Sequence, residues 1–164
     1  LNYIDEIVNK SIKQGGKLLC GGRRYEKLPE GNYYEPTVIV AEHSNIIFHT
    51  ELFGPVVSIC SFKNKEEAIK LANSTKYGLG CSIWTSNLSV AHSVAQKIDS
   101  GIIWINDHHK NDPSSPWGGL TKESGIGREN GIDSYHEYTQ TKSIIVNCDE
   151  YKSDWFGDIT TRYN

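Results

Sequence analysis

Apolar positions recur along this chain with two different spacings, and the changes between them divide it into elements. Over residues 3–14, Tyr3, Ile4, Ile7, Val8 and Ile12 fall near i, i+3 and i+4. That spacing gathers them on one face of an α-helix, which Gly15-Gly16 stops. Lys17 to Cys20 reads as a short strand closed by Gly21-Gly22, and the polar residues 23–32, with Pro29 and Gly31, read as a loop. Tyr33 to Val40 is extended. Pro36 has no N–H to give to a ladder, so the start of that strand should be an edge or unpaired.

The middle of the chain is the most regular part. Val56 to Phe62, Gly80 to Trp84 and Gly101 to Ile105 read as strands, separated by helices over Lys65 to Asn73 and Leu88 to Ile98. Asn64 is placed to cap the first helix, and Asn87 or Ser86 the second. The strands are continuously apolar rather than alternating, which predicts burial on both faces. The fold class is therefore α/β, a parallel βαβαβ sheet with helices on both faces. Right-handed crossovers then put the three strand C-termini on one edge, where ligands bind in such sheets. One of those ends opens into Asn106-Asp107-His108-His109 and a polar loop running to Pro116-Trp117-Gly118-Gly119, the best site candidate on pattern alone. A Gly-rich stretch, a short helix over Gly131 to Tyr138, the β-branched run Thr141 to Asn147 and a tail with Trp155 and Phe156 follow.

Composition narrows the classes. The chain has 164 residues, 37% hydrophobic, with nine Tyr, four Trp and four Phe, enough apolar area to offset the entropy of ordering one domain or a little more. A net charge of -3 argues against a nucleic-acid or anionic-membrane surface, and no apolar run approaches the ~18–20 residues of a membrane span. The chain begins with Leu and contains no Met, so it is expected to be a piece of something larger. Cys20, Cys60, Cys81 and Cys148 are far apart and form no C-x-x-C pair, which points to a reduced, cytoplasmic setting. Cys60 and Cys81 sit in apolar strand sequence and read as packing residues, while carboxylates beside Cys148 make it a poor nucleophile. Adjacent His108 and His109 would diverge, so that loop reads as polar rather than metal-binding.

Two motifs require a decision. Ser124-Gly125-Ile126-Gly127-Arg128-Glu129-Asn130-Gly131 is not a dinucleotide fingerprint, because its third glycine falls one position late and no strand precedes it. Glu51-Leu52-Phe53-Gly54-Pro55 leads into a strand through a tight turn that would project Glu51 and Phe53 from a loop. Pattern alone favours a solvated Glu and a core Phe.

Those residues gain meaning together. Glu51-Leu52-Phe53-Gly54-Pro55-Val56, Ala72-Asn73, Tyr77-Gly78-Leu79, Gly101-Ile102-Ile103-Trp104-Ile105-Asn106, Ser115-Pro116-Trp117-Gly118-Gly119, Ser124 to Glu129, Glu137-Tyr138-Thr139 and Thr141-Lys142 stand in order. Over residues 1–148 the chain resembles the C-terminal third of NAD(P)-dependent aldehyde dehydrogenases. The resemblance implies that residues 1–138 are the distal part of the catalytic domain and 139–164 an oligomerisation strand and tail. It implies NAD or NADP as cofactor, with Glu51 accepting the nicotinamide-ribose hydroxyls and Phe53 flanking the nicotinamide, roles that suit a carboxylate and an aromatic face. It places Asn106, His109, Asn111 and Trp117 in the tunnel for a small aldehyde. It also implies a homo-oligomer built through Thr141 to Asn147, whose β-branched content suits an edge made for pairing.

Trp117 bears on the substrate. Many members carry Phe there, and Trp is common in the betaine-aldehyde and amino-aldehyde branch. A Trp face attracts an ammonium group by ~0.5–2 kcal/mol, yet the same face would serve as a wall for any apolar aldehyde. None of the four cysteines matches the family's catalytic position. That nucleophile, the general-base Glu and the dinucleotide domain correspond to positions before Leu1, so this segment alone is expected to be inactive. The other class of reading is a non-catalytic assembly module that supplies a sheet and a pairing strand. The sequence departs from the family form between Pro36 and Glu51, which is one residue shorter and has Thr50 where Glu is frequent. It departs again between Gly119 and Ser124, which is one residue longer.

Overall fold

The computed structural model describes residues 1–120 and 122–148. Helix α1 (Asn2–Lys13) buries Ile4, Ile7 and Val8 as the spacing predicts, together with Ser11, while Tyr3 and Ile12 at the edges of that face are exposed. It ends where Gly15 takes φ +91°, and Gly16 N–H returns to Ser11 O at 2.9 Å. Strand β1 (Lys17–Cys20) runs antiparallel to β2 (Thr37–Val40), and β2 runs parallel to β3 (Val56–Ile59), in the order β1-β2-β3. Thr37 and Ile39 point from β2 into the protein, and Ile39 meets Ile4, Ile7, Val8, Tyr34 and Ile47 in the core. A 3-10 turn (Ile46–Phe48) supplies Ile47 and lies against α1.

The second half is built from parallel strands. Helix α2 (Lys65–Asn73) is capped by Asn64, whose Oδ1 accepts Glu67 N–H at 2.9 Å, and Glu67 in turn accepts Lys63 N–H at 2.6 Å. Strand β4 (Gly80–Ile83), helix α3 (Leu88–Ala95) and strand β5 (Ile102–Ile105) follow, with Asn87 Oδ1 accepting Val90 N–H at 3.0 Å. β4 and β5 pair in parallel, Gly80 opposite Ile102 and Ile83 opposite Ile105. Helix α4 (Gly131–Glu137) closes the described elements, and no helix among the described residues is long and apolar enough to cross a membrane.

One expectation about strands is corrected. The strands at 56, 80 and 101 do not form one continuous βαβαβ sheet, because β3 belongs with β2 and the β4–β5 pair is a separate sheet. A continuously apolar run reports burial on two faces and says nothing of which strand is the neighbour. Here Thr37 N–H donates to Pro55 O at 2.8 Å and Ala41 N–H to Ile59 O at 3.0 Å, fixing β3 to β2 from both ends. Thr141 to Asn147, expected to pair with a second subunit, has no described strand of its own chain beside it. Ile145 is 94% exposed there. The predicted strand from Tyr33 begins only at Thr37, after Pro36. Tail residues 149–164, with Trp155 and Phe156, lie outside the described residues.

Tyr34 ties the loop before β2 to α1 by donating its hydroxyl to Asp5 Oδ1 at 3.1 Å. Burial first, and then that bond to the carboxylate, pushes its pKa up to about 12. An unfolded phenol titrates near 10, so the folded state holds this proton more tightly. The contribution is complete below pH ~10 and is lost as pH rises towards 12. Tyr34→Phe should lower stability at neutral pH and flatten the fall between pH 10 and 12, as read by urea unfolding at several pH values. Ile39→Ala should cost about 2–5 kcal/mol in the same measurement, because Ile39 is fully buried.

Candidate functional site

The segment carrying Glu51 and Phe53 is a ridge held at both ends. On one side the 3-10 turn is capped by Asn45, whose Oδ1 accepts Ile47 N–H at 3.1 Å. On the other, Gly54 N–H donates to Leu52 O at 3.0 Å and Val56 N–H to Gly54 O at 2.8 Å, turning the chain sharply into β3. A side chain at Gly54 would overlap Ile4 of α1, so the turn sits directly on the core. The Glu51 carboxylate is exposed and borders a cleft of about 350 Å³ shared with Tyr77, Leu79, Cys81 and Ser124. Phe53 is 90% exposed and so is not the core residue that pattern alone suggested. It borders a different hollow, with Tyr33, Tyr34 and Pro55. Cys81 is no nucleophile candidate, for burial pushes its thiol pKa up.

A second cleft of about 420 Å³ lies between Leu79, Trp117, Ser124, Arg128 and Glu137. Backbone contacts build both clefts. Gly78 O accepts Gly101 N–H and Leu120 N–H, each at 3.0 Å, and Gly78 N–H donates to Ser124 Oγ at 2.9 Å. Trp117 and Glu129 exchange both backbone bonds at 2.7 Å. Arg128 Nη1 donates to Gly119 O at 2.8 Å and Gly127 O at 2.6 Å, so this guanidinium staples the Gly-rich segment.

The loop after β5 brings aromatic rings together. His109 stacks on Trp117 with centroids 6.5 Å apart and 18° between planes, and both Trp104 and His108 lie within 6.0 Å of the His109 centroid. His108 Nδ1 meets Ser82 Oγ at 2.8 Å, and Trp104 Nε1 donates to Lys110 O at 2.9 Å. Asp112 accepts the Ser114 N–H at 2.8 Å and its hydroxyl at 2.7 Å, which holds its carboxyl below the usual range. Of the residues the sequence placed in a tunnel, His109 and Trp117 are in contact, while Asn111 is an exposed loop residue. Asn106 has a structural task. Its Oδ1 accepts Thr85 N–H at 2.8 Å and its Nδ2 donates to Thr85 O at 2.9 Å, clamping the ends of β4 and β5 together. It holds φ +53°, a conformation asparagine tolerates, and an Asn closing an apolar strand was the available signal. Nothing in the sequence pointed to the Ser82–His108 contact. Among the described residues no group of three or more His, Cys, Asp or Glu is arranged to hold a metal ion.

A Cβ at Gly101 would overlap Gly118 O, so this crossing requires glycine for space. A Cβ at Gly15 meets nothing within 4 Å and suffers only the strain of its φ of +91°. Gly101→Ala should therefore displace the Trp117 loop and cost more than about 3 kcal/mol, against about 1–2 kcal/mol for Gly15→Ala, by urea unfolding.

Known proteins share this arrangement. The chain is 41% identical over 155 residues to (Z)-2-((N-methylformamido)methylene)-5-hydroxybutyrolactone dehydrogenase of Acinetobacter baylyi, covering 92% of this chain and 31% of that one. It is 38% identical over 157 residues to betaine aldehyde dehydrogenase of Bacillus subtilis, covering 94% and 32%. Among solved structures, PnpE from Pseudomonas sp. WBC-3 superimposes with a TM-score of 0.86 at 40% identity, over 94% of this chain and 32% of that one. Betaine aldehyde dehydrogenase from Staphylococcus aureus in complex with NAD+ does so with a TM-score of 0.84 at 37% identity, over 96% and 32%. The chain thus spans about a third of the length of the relatives it matches. Residues 1–144 match the family described as the aldehyde dehydrogenase family, and with the shared fold this establishes the chain as a member of that family.

Proposed function

We propose that this chain is the distal part of an enzyme that oxidises a small aldehyde to a carboxylate, with NAD+ or NADP+ as hydride acceptor, and that its own contribution is to orient the cofactor and flank the substrate. The observation that carries this reading is the Glu51–Phe53 ridge, a carboxylate and an aromatic ring both presented to solvent from backbone anchored at each end. Their chemistry fits the cofactor. The Glu51 carboxylate can accept hydrogen bonds from two vicinal ribose hydroxyls, and the Phe53 face can lie against a planar ring. The nicotinamide, when bound, supplies the hydride-accepting carbon.

The His109–Trp117 stack forms an aromatic wall beside the loop that leaves β5. Trp117 favours an amino- or betaine-type aldehyde, held by cation–π attraction, and the similarity to a betaine aldehyde dehydrogenase supports that choice. Comparing betaine aldehyde, aminobutyraldehyde and hexanal on the full-length protein tests it, and preference for hexanal would overturn it. In the assembled enzyme Thr141 to Asn147 adds to a neighbouring subunit's sheet, a reading supported by exposed Ile144, Ile145 and Val146. The four free cysteines fit a reducing, cytoplasmic setting.

Charge-assisted hydrogen bonds are worth about 1.5–3 kcal/mol each. Glu51→Gln in the full-length enzyme should therefore lower kcat/KM for the nicotinamide cofactor by about 10–100-fold and leave the aldehyde KM within about twofold. An unchanged cofactor kcat/KM would overturn the role given to Glu51.

A further inference from the structure

Asn45 is one of the few buried polar side chains among the described residues, at 4% exposure, and both ends of its amide are engaged. Its Nδ2 donates to Ser11 O at 2.9 Å, near the end of α1, and its Oδ1 accepts Ile47 N–H in the 3-10 turn. One side chain therefore joins its own turn to a backbone carbonyl 34 positions earlier. Neighbouring bonds repeat the pattern. Ile46 N–H donates to Gln14 Oε1 at 2.9 Å, His43 Nε2 meets Ser74 Oγ at 3.1 Å after α2, and His49 Nε2 meets His43 O at 2.8 Å. The turn is thus tied to α1 on one side and to the end of α2 on the other. Only His49 and Thr50 separate it from Glu51.

We infer that Asn45 is a positioning residue for cofactor binding, acting through Glu51; this rests on the cofactor role proposed for Glu51. The downstream end of the ridge is fixed by the Gly54-Pro55 turn and the Thr37–Pro55 bond. The upstream end has no ladder to hold it, and its placement depends on side chains: Ile47 packs in the core without direction, and Asn45 is the buried polar one that fixes the turn by hydrogen bonds. Releasing Asn45 lets the turn shift against α1, and the Glu51 carboxylate moves with it. An apolar residue in place of this buried amide strands Ile47 N–H and removes the bond that Asn45 makes to α1, although Ser11 O keeps Gly16 N–H.

The test is a double-mutant cycle in the full-length enzyme, with NADH binding followed by fluorescence titration and turnover measured at saturating aldehyde. Asn45→Ala should weaken NADH binding about 5–10-fold and leave the aldehyde KM within about twofold. In the Glu51→Gln background the same substitution should have less than a twofold further effect, because its consequence is already lost. Asn45→Asp, which retains the acceptor for Ile47 N–H, should recover part of the affinity and serves where the Ala variant does not fold. Full multiplicative effects of Asn45→Ala and Glu51→Gln, or unchanged NADH affinity in Asn45→Ala, would overturn the inference. Glu51→Gln with unchanged NADH affinity would instead remove the premise about Glu51, and the two failures are read from different variants.

Discussion

The crossing of three backbone segments at Gly78, Gly101 and Gly118 is the constraint on which the site half of the molecule depends. Gly78 O accepts two N–H groups, from Gly101 and Leu120, and so uses both of its lone pairs. Side chains at Gly78 and Gly101 would meet Asp99 O and Gly118 O, so the segments come this close only because both positions are glycine. Everything around the clefts takes its place from this contact. Ser124 is reached by Gly78 N–H, Trp117 is one residue from Gly118, and Leu79 borders both clefts. Backbone hydrogen bonds stand here in place of an apolar core.

The two halves differ for that reason. Around β2 a conventional core forms, with Ile39 and Val8 fully buried and Ile4, Ile7, Tyr34 and Ile47 packed about them. Among the described residues beyond β3 the buried apolar ones are Ala91 and Ile98, while Phe62, Trp84, Leu88, Ile126, Ile132 and Tyr138 are exposed. So much exposed apolar area is costly on a free surface and ordinary on an interface. The chain spans about a third of the length of the relatives it matches.

What could be read from the sequence follows the range of the forces involved. Helix boundaries and caps are local, and Asn64 and Asn87 cap as their positions suggested. Strand existence is also local, since β1, β4 and β5 fall within a residue of their apolar runs. Strand adjacency is not local. β3 joins β2 through bonds at Pro55 and Ala41 that no hydrophobic pattern encodes. The same limit applies to side chains. The family resemblance drew attention to Asn106, but not to the two bonds by which its amide joins the Thr85 backbone. Asn45 gave no signal at all, because its importance lies in reaching Ser11 across 34 positions.

Glu51 and Phe53 border separate hollows on either side of one ridge, so a ligand that touches both must lie across it. Such a ligand is held by one carboxylate and one ring face, and each contact weakens quickly with displacement. On the proposed function, rate depends on that placement, for a misplacement of about 1 Å can cost 10²-fold. The ridge must therefore be stiffer than an ordinary surface loop. Its stiffness comes from opposite sources at its ends. Downstream it is continuous with β3 and rests on Ile4 through Gly54. Upstream it hangs from the buried amide of Asn45 and a histidine contact to Ser74. The N-terminal core thus has a task beyond stability. By fixing α1 against β2 it supplies the surface from which the ridge is held, linking the burial of Ile39 to the orientation of a carboxylate exposed to solvent.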